Sequence, residues 1–233
     1  MAVRWKPLPG SFGPAILPKQ VALLSEALAL WQQAMGERPL YFRPGTFSAN
    51  DATFRALQDT GFVGGSISAP GRIYREIRAV WTGAEPDPHR PNADFRMMPG
   101  DMPFGNMPLS SDYSRLLHMG SGRWLYPDFR PDVDWLTRFD LSYRTMSDNA
   151  LSQIIARNPT VPVLNAISHN QYDYSDRSNP ENQRYRVLLD EVTAACARAN
   201  VRPVGATVGD IVKRVLDTEP VKEEFRNSAF APG

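Results

Sequence analysis

Among its 233 residues the chain has one cysteine, Cys196. A single thiol excludes an internal disulfide, a cysteine-based zinc knot and an iron–sulfur centre. Cys196 follows Val192 by four positions and Ala195 by one, on the apolar side of an expected helix, so it reads as a core thiol. Lysine is scarce as well. Lys6, Lys19, Lys213 and Lys222 are the only four, which leaves 22 arginines among the 26 basic residues. Arginine forks suit carboxylates, sugars and phosphates better than lysine does, although a GC-rich genome would produce the same bias. No surplus of one charge exists: 26 basic against 25 acidic residues gives +1. That balance argues against a protein built to grip nucleic acid or an anionic membrane. The longest apolar stretch, Val21 to Trp31, is interrupted by Ser25-Glu26 and is too short to span a bilayer. Met1 to Gly10 lacks the apolar segment of a signal peptide, so the chain as written is expected to be soluble and cytoplasmic. A G-x-S-x-G elbow, a G-x-x-x-x-G-K-[ST] loop, a G-x-G-x-x-G fingerprint, internal repeats and low-complexity tracts are all missing. Serine hydrolase and nucleotide-binding readings lose their usual support.

What is present has the rhythm of an α/β protein. Pro18 opens a helix in which Val21, Leu24, Leu28, Trp31 and Met35 recur at three- and four-residue steps, and Gly36 stops it. A strand at Leu40 to Arg43 leads through Pro44-Gly45 to a helix near Asp51 to Thr60, capped by Ser48 or Asn50. A strand at Phe62 to Ser68 contains Gly64-Gly65, the mark of a close backbone approach or a bulge. Residues 69 to 131 hold nine of the 21 prolines (70, 86, 88, 91, 99, 103, 108, 127 and 131), so regular structure there is expected to be sparse. Short strands are expected near Met107 to Ser110 and Arg123 to Tyr126, and five aromatics (Trp81, Phe95, Phe104, Trp124, Phe129) argue that the segment packs. Beyond it come a helix at Ser147 to Arg157 with Leu151, Ile154 and Ile155 inward, a strand at Val161 to Ile167, and a long helix opened by Asn179-Pro180. That helix points Tyr185, Leu188, Leu189, Val192 and Cys196 inward. A strand at Val201 to Ala206 and a last helix, opened by the capping box Thr207-Val208-Gly209-Asp210, end the pattern. Strands alternating with helices imply right-handed crossovers and a mainly parallel sheet. We expect one domain over residues 1–218, with 69–146 as an irregular insertion or lid and 219–233 as a frayed tail.

In parallel α/β folds functional groups gather where strands end. Two strand ends stand out: Phe42-Arg43-Pro44-Gly45 and Leu164-Asn165-Ala166-Ile167-Ser168-His169. Arg43 there is a fixed cation and His169 a general acid or base. Asp132-Val133-Asp134-Trp135 would put two carboxylates on one face if extended, beside a tryptophan that could stack on a sugar. Trp81 and Trp124 share that stacking capacity. A metal site rebuilt from His169, Asp173 and Asp176, or from His89 and His118, is weakly supported by the spacing.

The run Tyr41 to Thr53, with Leu57 and Gly61-Phe62, resembles the third conserved segment of the polysaccharide deacetylase family. Val163 to His169, then Tyr172-Asp173-Tyr174 and the helix from Arg184 to Arg198, resembles the family's last motif, and Val201-Arg202-Pro203-Val204 into Thr207 its final strand and helix. The resemblance implies a distorted (β/α) barrel, here partial, with mainly parallel strands and a long proline-rich insertion. It implies hydrolysis of a C–N bond in an N-acetyl or related amide of a sugar, with a divalent metal, usually zinc, as cofactor. Arg43 would orient the catalytic carboxylate and His169 would protonate the leaving amine. Pro44, Gly45, Ile167 and Trp135 would contact substrate, Ile167 beside the acetyl methyl. The family's metal and base come from an Asp-Asp pair and a His-x-x-x-His pair. This chain has neither, and its only histidines are His89, His118 and His169. Three outcomes follow: an incomplete chain of a deacetylase, a carbohydrate-binding remnant that no longer cuts, or a half-barrel completed by a partner chain.

Overall fold

A computed structural model gives the fold and describes residues 16–218. The expected tail at 219–233 lies outside the described residues. In chain order the helices are α1 (Ile16–Met35), α2 (Thr53–Asp59), α3 (Trp135–Phe139), α4 (Tyr143–Arg157), α5 (Pro180–Arg198) and α6 (Val208–Thr218). The strands are β1 (Tyr41–Phe42), β2 (Gly64–Gly65), β3 (Ile73–Tyr74), β4 (Ala79–Val80), β5 (Gly105–Asn106), β6 (Leu117–His118) and β7 (Trp124–Leu125). No helix among the described residues is long and apolar enough to cross a membrane.

The protein is mixed α/β, built on two small sheets. β1, β2 and β5 form a parallel sheet in that order, with Tyr41 opposite Gly64 and Gly64 opposite Gly105. The glycine pair exists for contact. A Cβ on Gly65 would lie 1.9 Å from the Phe42 carbonyl oxygen, and one on Gly64 would lie 2.4 Å from Val212 of α6. α6 therefore lies directly on β2 and β5.

The second sheet is antiparallel, ordered β4, β3, β7, β6, and lies wholly in the proline-rich segment. The expectation of a mainly parallel chain is corrected here: each antiparallel strand is two residues long, too short for alternation to show. Two further expected strands are not sheet strands. At 161–167 the chain is tied mostly through the Asn165 side chain, which donates to Ser66 Oγ (3.0 Å) and to the Met107 and Pro108 carbonyls (3.3 and 3.0 Å). At 201–206 Pro203 lacks an N–H and every residue is exposed, so no ladder forms. Among the described residues the parallel sheet thus has three strands and does not close into a barrel.

Helix ends follow local chemistry. Asn179 Oδ1 accepts from the Glu181 N–H (3.0 Å) just ahead of Pro180, and the capping box at α6 forms, with Thr207 N–H on Asp210 Oδ2 (2.8 Å) and Asp210 N–H on Thr207 Oγ1 (3.2 Å). α4 starts earlier than its apolar pattern suggests, because Ser142 Oγ accepts the Thr145 N–H (3.1 Å).

Two buried clusters form the core. One joins Leu28 of α1, Phe54 and Leu57 of α2, Phe62, Ile67, Trp81, Phe104 and Ile167. The other joins Leu117, Leu125, Phe129, Trp135, Leu141, Met146, Ala150 and Leu188, and Tyr74 packs against both. The expected inward stripes are narrower than their periodicity implies. Trp31 and Met35 of α1 are 47% and 59% exposed, and Ile155, Tyr185 and Leu189 also face solvent. Cys196 is buried, as a core thiol should be, and burial raises its pKa.

Candidate functional site

The first strand end is a strained turn. After β1, Gly45–Phe47 forms a single 3-10 turn in which Thr46 and Phe47 adopt left-handed φ values of 56° and 61°. Each such non-glycine residue costs on the order of 1 kcal/mol, so the surroundings must hold the turn. Trp81 donates its indole N–H to the Phe47 carbonyl (2.8 Å), and Arg72 Nη1–H donates to the Thr46 carbonyl (3.2 Å). Pro44 is buried and Gly45 exposed. Arg43 is exposed and makes no hydrogen bond or ion pair among the described residues, while desolvation by its neighbours lowers its pKa.

The second expected strand end is a loop after an extended stretch that joins no sheet, and it carries His169. Its Nδ1 lies 2.5 Å from Asp132 Oδ2. The imidazole is half-exposed, whereas the Asp132 side chain is only 9% exposed. An ionised carboxylate can only accept, so the Nδ1 that faces it carries a proton. The other Asp132 oxygen, Oδ1, is buried with no partner. The two carboxylates of Asp132-Val133-Asp134 therefore separate rather than share a face. Asp134 caps α3, accepting the Thr137 N–H (3.1 Å), and this bond lowers its pKa.

Asp132 is fixed by the segment before it. Four consecutive carbonyls, of Asp128, Phe129, Arg130 and Pro131, each accept a bond from a different place: the Trp135 indole (2.9 Å), the Ile167 N–H (3.0 Å), the Tyr143 hydroxyl (2.7 Å) and Arg184 Nε (2.6 Å). Backbone so fully engaged can hardly shift. The Asp128 carboxylate, 2% exposed, is bound on one oxygen by Arg72 Nη2 (2.9 Å) and on the other by Arg130 Nε (2.5 Å). For Arg72 desolvation outweighs the pull of Asp128 and lowers the pKa. For Arg130 desolvation acts the same way, but Asp128 prevails and raises it.

The strand-end turn at 44–47 and the His169 loop are thus connected through Arg72, Asp128 and Asp132. Ile167 and Trp135 go elsewhere. Ile167 is 6% exposed and joins the first core cluster; Trp135 is 2% exposed and joins the second, its N–H spent on Asp128. Trp135 is therefore packing and presents no face to a sugar, and the same holds for Trp81, which is fully buried. Trp124 is half-exposed and stacks on His118 at 4.5 Å. Grooves of ≈500 Å³ between Tyr41 and residues 207–213, and of ≈380 Å³ among α3, α4 and α5, are lined by neither Arg43 nor His169.

The described residues do not fit a zinc site. His89 is buried against the Asp87 carbonyl (2.7 Å), His118 stacks on Trp124, and His169 is held by Asp132. Asp173 and Asp176 turn back on Ser175 and Ser178, and no three ligating side chains meet among the described residues. Asp132 as the histidine's partner, and Arg72, Asp128 and Arg130 as supports, escaped the sequence reading. Asp132 lies 37 positions from His169 and Arg72 lies 56 from Asp128, pairings no local spacing encodes; Arg130 is only two positions from Asp128, but the burial that joins them is tertiary. No family model matches the chain, and neither a curated protein nor a solved structure matches it.

Proposed function

We propose that this chain carries the proton-donating half of an amide-hydrolysing site of the polysaccharide deacetylase type, acting on the N-acetyl group of a sugar. The Asp132–His169 contact supports this reading most directly. A carboxylate on Nδ1 stabilises the imidazolium and leaves Nε2 for proton transfer. As water adds to the amide carbonyl it gives a proton to Nε2, and the imidazolium so formed passes that proton to the leaving amine as the C–N bond breaks, leaving acetate. Arg43, an exposed cation just past β1, is suited to hold a carboxylate or polarised oxygen, and Pro44-Gly45 shapes the turn beside it. A zinc ion would draw its ligands from outside the described residues, and the part of the barrel that supplies them would come from further chain or from a partner.

Acetate release from N-acetylglucosamine oligosaccharides tests the reading. Release that falls roughly 10²- to 10⁴-fold in His169→Ala is the expected result; release unchanged by that substitution refutes the acid role. A second reading, a carbohydrate-binding protein without turnover, rests on the failure of ligating side chains to converge. Saturable oligosaccharide binding in chelator, with no acetate formed, would favour it.

A further inference from the structure

We infer that Arg72 is a positioning residue that braces the 44–47 turn against the 127–132 segment and so sets the geometry of the Asp132–His169 pair. Its backbone is anchored by its own neighbours: Arg72 N–H donates to the Ala69 carbonyl (3.0 Å), and the Arg72 carbonyl accepts from Trp81 N–H (2.8 Å). Gly71 before it, at φ +79°, leaves room for the Tyr126 ring, which a Cβ would meet at 2.4 Å. From that base the guanidinium reaches two ways at once. One terminal nitrogen holds the Thr46 carbonyl and the other holds Asp128 Oδ2. Its plane lies over the Phe47 ring at 4.8 Å and over the Tyr74 ring at 5.3 Å. Only a flat fork with several donors makes all four contacts; a lysine ammonium cannot.

The far end of the brace is stiff. Asp128 begins the run of four carbonyls that α3, the 163–167 stretch, α4 and α5 all bind, and Asp132 follows that run immediately. A displacement of Asp128 is therefore passed along the backbone to the carboxylate that holds His169. The inference rests on the proposal that Asp132–His169 is the working pair, but its test needs no turnover. Failure of amide hydrolysis and failure of the brace would thus appear in separate experiments.

The test reads the His169 ring by ¹⁵N NMR in the full chain. At a pH where the ring is neutral, wild type should carry its single ring proton on Nδ1, held by Asp132. In Arg72→Lys and Arg72→Met the brace is cut, and a large share of the signal should move to the Nε2–H tautomer that an unconstrained imidazole prefers. Arg55→Met, which removes an exposed ion pair with Asp94, is the control and should leave the tautomer alone. Where Arg72→Met unfolds, Arg72→Lys carries the test. A folded Arg72→Lys that keeps the wild-type Nδ1–H signature, whatever its loss of stability, overturns the inference, because Arg72 would then be a structural ion-pair partner only.

Discussion

At the scale of single residues, burial and partners separate positions that look alike in the sequence. Trp31 and Phe54 are both large aromatics on helices that face the first cluster, yet Trp31 is 47% exposed and Phe54 fully buried. Phe54 also packs edge-on against Phe104 with ring centroids 5.6 Å apart. Phe54→Ala should cost about 3–5 kcal/mol, through lost burial and the cavity left behind. Trp31→Ala should stay within about 0.5 kcal/mol. Urea denaturation of the two variants checks the contrast, and equal losses would mean that α1 packs differently. The carboxylates of Asp132 and Asp134, two positions apart, end in unrelated roles for the same reason: one finds a histidine 37 residues away and the other a backbone N–H three residues on.

At the scale of elements, contacts between backbones set the tolerances. Gly65→Ala would place a Cβ 1.9 Å from the Phe42 oxygen, so β1 and β2 would have to part. A loss of about 3 kcal/mol or more is expected, read from the same urea midpoints. The capping box of α6 gives a pH dependence whose sign is fixed. The Thr207 backbone N–H, and then its hydroxyl, hold the Asp210 carboxyl below its ordinary pKa. A lowered folded pKa means that its contribution is complete above the usual carboxylate range, about pH 4, and disappears as pH falls through the folded value. Asp210→Asn should therefore be less stable than wild type near neutrality, and the difference should shrink as pH falls below the usual carboxylate range. Thermal melts of both proteins across that window check it. How far the elements were legible follows from their length and chemistry. α5 and α6 carried their own caps and were readable, as was the glycine pair of β2. Of the antiparallel sheet only β7 was, expected near Arg123 to Tyr126; β3, β4 and β6 were not, because two residues cannot show a period of two.

At the scale of the whole molecule, the two clusters meet through Tyr74 and through the ion network at Asp128. Nothing among the described residues ties stability to a metal. Comparing the thermal midpoint in EDTA and in added zinc is the direct test for a metal: a drop of several degrees on chelation would reveal ligands that the described residues do not bring together. Burial raises the hydroxyl pKa of Tyr113 and of Tyr143. Groups raised in this way stabilise the fold below the ordinary phenol range, about pH 10, and lose that contribution as pH climbs above it. Tyrosinate absorbance and circular dichroism should accordingly change together at alkaline pH.

By itself the sequence determined what local rules govern: α1, α2, α5 and α6 with the caps of the last two, the tight approach at Gly64-Gly65, the buried thiol, and the end of β1 that holds Arg43. Those features depend on neighbours a few positions apart, where backbone geometry and side-chain hydrogen bonding act directly. Tertiary structure alone decided which residues meet. It gave His169 to Asp132, set Arg72 between Thr46 and Asp128, and sent Trp135 into the core instead of to a sugar face. It also built an antiparallel sheet inside the proline-rich segment. Such pairings join groups tens of residues apart, and the energy that selects them comes from burying charge and apolar surface together, which no spacing along a chain records.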